Sequence, residues 1–248
     1  MIIAEVGLNH LGDKGYAMDY VDAIIDSDVD AATFQVREKE FYCSGKYAHC
    51  RLTKDLYKQF SEIMTQHQKA FGVALCDRDE IAFFESIKTR FYKLLYKDLK
   101  NDSLVDRLLD TGKLLCVSTG ICTVEDIGEF LEKHHVHSKQ ICLIHTQMSH
   151  EISKVNLRAM ESLSGTFSLP VGFGNHCSNT NVICMAMAFE PDHVFFYVKG
   201  DKAVVHPDSE HAVALRNLKL FSENLKLLPS AMGDGKKVKM NLEIRGMA

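Results

Sequence analysis

Short apolar runs rich in β-branched and aromatic residues recur about every thirty residues along this chain, at 2–6, 31–36, 71–75, 91–95, 114–117, 141–145, 170–173 and 193–198. The segments between them carry apolar residues at helical spacing. Leu56, Phe60, Ile63 and Met64 follow Thr53 as an N-cap, and Asp79 leads into Ile81, Phe84 and Ile87. Ser103 precedes Leu104, Leu108 and Leu109, Thr123 precedes Ile127, Phe130 and Leu131, and Asp208 precedes Val213, Leu215, Leu218 and Phe221. Strands that read as continuous apolar runs are expected where both faces are covered, as in a parallel sheet wrapped by helices. Eight such units predict an α/β fold, a single closed (β/α)8 TIM barrel. A doubly wound open sheet is the competitor, but no Gly-x-Gly-x-x-Gly turn follows a strand to favour dinucleotide binding.

A chain of 248 residues, 46% hydrophobic, is long enough to bury one such core. Its 29 Lys and Arg against 33 Asp and Glu give a net charge of −4, which offers no basic field for a phosphate backbone, so no nucleic-acid partner is expected. The longest apolar run, 182–189, falls short of the roughly 20 residues needed to cross a bilayer, and residues 1–6 lack the pattern of a secretory signal. The expectation is a cytoplasmic protein with no membrane partner. The eight cysteines are too dilute for a disulfide scaffold and read as reduced thiols. Cys43, His49 and Cys50 lie close together, but no second cluster completes a four-ligand zinc site.

Chemistry in a parallel barrel gathers at the C-terminal strand ends. Those ends supply Glu5, Asn9 and His10 after the first strand, Gln35, Arg37 and Lys39 after the second, and Cys76 and Asp77 after the third. Lys93, Tyr96 and Lys97 follow on the fourth, Ser118, Thr119 and Gly120 on the fifth, and His145, Thr146, Gln147 and His150 on the sixth. The seventh gives Asn175 and His176, and the eighth Tyr197 and Lys199, with His206, Pro207 and Asp208 at the expected start of the next helix. Carboxylates, imidazoles and ammonium groups converging on one mouth suit an anionic or polyhydroxylated substrate. The long connection 37–52 mixes cations with aromatics, through Arg37, Lys39, Tyr42, Lys46, Tyr47 and Arg51, and reads as a lid.

The segments Ile3-Ala-Glu-Val-Gly-Leu-Asn-His10, Phe34-Gln35, Val117-Ser-Thr-Gly120, Leu143-Ile-His145, Val171-Gly-Phe-Gly-Asn-His176 and Pro207-Asp208 occur in an order that resembles the sialic acid synthase family. The resemblance covers essentially the whole chain. It implies a (β/α)8 barrel that joins phosphoenolpyruvate to an N-acylmannosamine-like amino-sugar aldehyde, releases phosphate and makes a nine-carbon 2-keto acid for glycan biosynthesis. Glu5, Lys93, Ser118, His176 and Asp208 match family site positions. By that match Glu5, Lys93 and His176 are the catalytic candidates, and Asn9, Gln35, Arg37, Lys39, Ser118, His145, His150 and Asp208 the substrate-binding ones. A divalent metal, Mn or Mg, is implied at His176, with His10 or His145 available from adjacent strand ends.

Other positions depart from the family pattern. Thr33 stands for a lysine, Ala74 for a Ser or Thr, Tyr96 for a Ser, Gly174 for the Ser of a Ser-Asp-His turn, and Tyr197 for the second metal histidine. His150 replaces a sugar-binding Tyr. Two readings follow. Either Arg37 and Lys39, with Lys97 or Lys199, replace the lost phosphate contacts and the chain is an enzyme, or catalysis is lost and a sugar-binding barrel remains. An aldol-type synthase for another sugar phosphate is the third. The expected organisation is one barrel domain over residues 1–248, able to form a homo-oligomer, without the small C-terminal antifreeze-like domain that many relatives carry.

Overall fold

The computed structural model, which describes residues 1–237, is a closed eight-stranded parallel barrel inside a ring of helices. Its strands are β1 (Ile2–Gly7), β2 (Ala31–Val36), β3 (Ala70–Leu75), β4 (Phe91–Leu94), β5 (Leu114–Ser118), β6 (Ile141–Thr146), β7 (Val171–Asn175) and β8 (Val194–Lys199). Each pairs in parallel with the next, and β8 returns to β1 with Tyr197 opposite Glu5. The helices α1 (Lys14–Ile25), α2 (Lys54–Gln66), α3 (Ile81–Ser86), α4 (Asp102–Leu109), α5 (Val124–Lys133), α6 (Ala159–Phe167) and α7 (Asn181–Met187) connect the strands. A two-residue strand β9 (Val213–Ala214) joins β8 and leads into α8 (Leu215–Leu227). The last eleven residues of the expected 1–248 domain lie outside the described residues.

The helix starts follow local hydrogen-bond chemistry, and three differ from the sequence reading. Thr123 forms a full capping box with Asp126, as its position before an apolar repeat predicts. Asn101, rather than Ser103, caps α4, because its side chain reaches the backbone N–H of Leu104. Asp77, rather than Asp79, caps the turn that precedes α3. Asp208 does not open a helix at all. Its backbone N–H donates to Asn9 Oδ1 at 3.1 Å, which ties the loop down and delays α8 until Leu215.

Two apolar layers hold the barrel. Between strands and helices, Phe34 stacks on Phe60 and Phe71 at 5.2 and 5.8 Å. Inside the barrel a separate plug forms from Ile3, Ala31, Phe91, Cys116, Cys142, Ile144 and Phe195. Phe91 and Ile144 fit because neighbouring strands place glycines against them. A Cβ on Gly72 would run into the Phe91 ring, and one on Gly172 into Ile144 and a backbone carbonyl. Gly72→Ala is therefore expected to lower unfolding free energy by about 1–3 kcal/mol through overpacking. A urea melt with an unchanged m-value checks this; a loss below about 0.5 kcal/mol would mean that the plug yields.

Side chains alternate along a strand, so two residues beyond the plug the chain faces the interior again. That step places Glu5, Thr33, Ala74, Lys93, Ser118, Thr146, Gly174 and Tyr197 in the next layer, at the C-terminal end of the barrel. All eight cysteines are free thiols, and Cys116 and Cys142 pack in the plug as small hydrophobes. Among the described residues no helix is long and apolar enough to cross a membrane.

The 37–52 connection crosses the barrel end as two short 3-10 turns, Lys39–Tyr42 and Ala48–Cys50. It is fastened below by Gly12, at φ +73°, where any Cβ would collide with the carbonyl of His49. Its start is held by the Arg37 N–H, which donates to the Tyr42 hydroxyl at 3.0 Å.

Candidate functional site

The polar layer contains a buried ion pair. Lys93 Nζ contacts Glu5 Oε1, with both residues under 5% exposed. The ammonium also lies 4.9 Å from the centre of the Phe195 ring, so the aromatic plug forms its floor. Gly7, at φ +55°, lets the chain after β1 pass against Tyr197 and Asp208; a Cβ there would sit 2.9 Å from Tyr197 Cε1 and 3.2 Å from Asp208 Oδ2. Asn9 is fully engaged as a clasp. Its Nδ2 donates to the Val198 carbonyl at 2.8 Å while Oδ1 holds the backbone of Asp208. Burial, reinforced by the Glu5 charge and opposed by Lys93, pushes the Asp208 carboxyl up to about 7.

Above this layer lies an open cavity of about 400 Å3, lined by Lys46, Tyr47, Met148, Ser149, His150, His176 and residues 205–211. Three imidazoles stand side by side in its wall. The ring of His211 is 4.7 Å from that of His176 and 5.2 Å from that of His150, and Tyr197 meets His211 edge-on at 5.0 Å. Burial, and then the neighbouring histidine, hold His176 down at about 3 and His211 at about 4, so both are neutral imidazoles at physiological pH. His150 sits at the rim, its Nε2 3.6 Å from the Glu210 carboxylate.

Glu5, Lys93, His176, His150 and Asp208 thus come together at one end of the barrel. Ser118 is buried in the same polar layer, and Gln35 is half-buried one step above it on β2. Other candidates stand elsewhere. Arg37 and Lys39 line a separate cleft between the lid, α2 and α3 of about 30 Å3, room for a single water. Arg37 bonds Glu38 at 2.9 Å and covers the Phe41 ring at 4.2 Å. Lys97 bridges Glu38 and Asp98, and Lys199 donates to the Ser209 carbonyl at 2.6 Å. The lid cation that faces the mouth is Lys46.

His10 and His145 are held by other partners, although His10 Nε2 is buried without one among the described residues. His10 accepts from the Gly12 N–H at 3.0 Å and lies over Phe34, and His145 donates from Nε2 to the Val155 carbonyl at 2.9 Å. The neighbour of His176 is instead His211, which strand-end reasoning misses because it sits deep in the β8–β9 loop. Its spacing, three residues after Asp208, is the signal that could have exposed it.

Two places could hold a divalent metal. Glu38, Cys76 and Asp98 bring ligand atoms within 4.8 Å of one another. Burial alone would raise the Glu38 carboxyl, but hydrogen bonds from Lys97 and Arg37 outweigh it and hold the group at about 2. A cation there must displace the Lys97 ammonium. The histidine wall offers nitrogen donors, but its three rings do not bring their ligand atoms within 4.8 Å of one another. Both ring nitrogens of His211 are buried without a hydrogen-bond partner among the described residues, the donor state that a cation relieves.

Comparison with known proteins finds relatives along nearly the whole chain. The NeuB family model matches residues 19–237. The N,N'-diacetyllegionaminic acid synthase of Campylobacter jejuni is 25% identical over 261 residues, covering 95% of this chain and 78% of that protein. A pseudaminic acid synthase of the same species is 24% identical, covering 95% and 75%. Among solved structures, the N-acetylneuraminic acid synthetase of Leptospira borgpetersenii superposes with a TM-score of 0.87 at 20% identity, covering 96% of this chain and 87% of that one.

Proposed function

The chain belongs to the NeuB family, and on that premise we propose that it is a phosphoenolpyruvate-dependent synthase that adds a three-carbon unit to an amino-sugar aldehyde, giving a sialic-type nine-carbon 2-keto acid. The observation that carries this reading is the convergence of Glu5, Lys93, Asp208 and His176 beneath and around one cavity of about 400 Å3, large enough for both substrates. Its relatives include an N,N'-diacetyllegionaminic acid synthase and a pseudaminic acid synthase, which supports this reading.

The reaction requires three events. The methylene carbon of the enol ester bonds to the aldehyde carbon, a water oxygen bonds to the other enol carbon, and phosphate leaves as that carbon becomes a ketone. Little covalent work falls to the protein, so positioning and charge stabilisation dominate. Lys93 holds the anionic end of phosphoenolpyruvate, and Ser118 in the same layer donates to it. Lys46 faces the mouth and supplies the positive charge that Arg37 and Lys39, turned into their own cleft, do not. Glu5 and Asp208 take the sugar hydroxyls. Asp208 titrates near neutrality and can therefore donate as well as accept. His176 would be the imidazole that holds a divalent metal, and the chemistry such an ion would supply is Lewis-acid polarisation of the aldehyde oxygen.

Phosphate release from phosphoenolpyruvate is the direct assay, run with a panel of hexosamine acceptors that includes N-acetylmannosamine and with Mn2+ or Mg2+ present. Turnover is expected to require an acceptor. Folded protein that releases no phosphate with any acceptor, but binds a sugar by calorimetry, would replace this reading with that of a sugar-binding barrel.

A further inference from the structure

The strand position that the family pattern gives to a second metal histidine carries a phenol in this chain. We propose that the hydroxyl of Tyr197 is a catalytic hydrogen-bond donor to the acceptor's aldehyde oxygen at the inner end of the cavity. The inference rests on the synthase reading and deepens it by adding a residue from β8.

Three observations carry it. Tyr197 lies two residues past Phe195 of the plug and opposite Glu5 on β1, so its side chain turns into the barrel in the layer of the Glu5–Lys93 pair. Its ring is held on three sides. It meets His211 edge-on at 5.0 Å, stands 5.5 Å from the His176 ring at 66°, and packs on Gly7, where a Cβ would lie 2.9 Å from Cε1. Asp208 Oδ2 is 3.2 Å from that same point, so phenol and carboxyl flank the one glycine. Finally, the hydroxyl makes no hydrogen bond among the described residues, although Tyr197 is only 8% exposed. The buried residues Tyr16, Tyr20 and Tyr92 each engage a partner through the hydroxyl, at 2.6, 3.0 and 2.6 Å. Tyr57, which also lacks one, lines the lid cleft and not the barrel interior. A fixed ring that presents an unpartnered donor inside a polar layer is suited to a ligand oxygen.

The reaction provides that oxygen. As the enol methylene bonds to the aldehyde carbon, the carbonyl π pair moves onto oxygen and an alkoxide develops. A phenol is protonated at neutral pH, and its hydrogen bond strengthens as that charge grows, which favours the transition state over the bound aldehyde. The phenol keeps its proton over the cycle. The attacking water loses two protons as its oxygen becomes the ketone oxygen; one ends on the alkoxide and the other leaves with phosphate, so no further acid is consumed.

The test is the steady-state kinetics of phosphate release by wild type and Tyr197→Phe, with phosphoenolpyruvate and whichever acceptor of the hexosamine panel turns over fastest. Phenylalanine keeps the ring contacts with His176, His211 and Gly7 and removes only the hydroxyl. The expected result is a fall in kcat of at least about tenfold, with KM for both substrates changed by less than about threefold and the urea midpoint preserved. Tyr197→Leu, which loses the ring as well, should lower stability further but kcat little further, because the donor is already gone. A kcat within about threefold of wild type in folded Tyr197→Phe overturns the donor, as does a loss confined to KM, or a loss of activity that tracks a loss of fold in both variants. The outcomes also distinguish the two readings. Wild-type turnover that survives Tyr197→Phe keeps the synthase and ends this inference, whereas no phosphate release from folded wild type with any acceptor ends both.

Discussion

Lys93→Met is expected to destabilise the fold by about 3–5 kcal/mol, because it leaves the Glu5 carboxylate buried in the barrel without its partner. Under the synthase reading it also removes a charge that stabilises the phosphate-bearing substrate, so kcat/KM should fall by about 10²–10³-fold. The two effects can be separated. Combining Glu5→Leu with Lys93→Met replaces the pair by apolar groups of similar volume and should restore most of the stability while activity stays lost. Urea unfolding and phosphate release on the single and double variants measure both quantities. Recovery of turnover along with stability would show that the pair serves only the fold.

Acidification is expected to weaken the protein through His10. This imidazole is fully buried, and burial holds it at about 4 against an ordinary value of 6.5. Above pH 6.5 it is neutral in both folded and unfolded chains, and its contribution is fully present. As pH falls from 6.5 towards 4, the unfolded chain takes up a proton that the folded one refuses. Stability then drops, by about 3 kcal/mol across that window. His145, lowered by burial despite its bonds to backbone carbonyls, acts in the same direction. His10→Asn offers an oxygen in place of the ring nitrogen that accepts from Gly12, and it does not titrate. Urea melts at pH 7.5 and 4.5 should show a smaller acid loss in this variant by about that amount; identical losses would assign the acid sensitivity to other groups.

The barrel was legible because its signal is periodic. Each strand begins and ends within two residues of its apolar run, and closure follows from eight parallel units. Glu5 and Lys93 read only as strand-end residues, and their depth follows once the plug is known, since a two-residue period counts upward from it. The rim was not legible. Arg37 and Lys39 follow a strand as good candidates should, yet Glu38, Phe41 and the cleft beside α2 capture them. Lys46, farther along the loop, faces the mouth instead. Asp208 reads as a helix cap until Asn9, nearly two hundred residues away, takes its backbone N–H. His211 has no strand register to announce it. Loop side chains are placed by long-range partners, and local sequence carries no record of those partners.

Gly12 pins the lid beneath His49, and the Arg37–Tyr42 bond secures the other end, so residues 43–47 form a span anchored on both sides. The Glu5–Lys93 floor, catalytic under the synthase reading, is built from strands and does not depend on that span. A library randomised there could redirect acceptor choice while leaving the ion pair undisturbed, which makes this connection a natural cassette for evolving or engineering new sugar preferences.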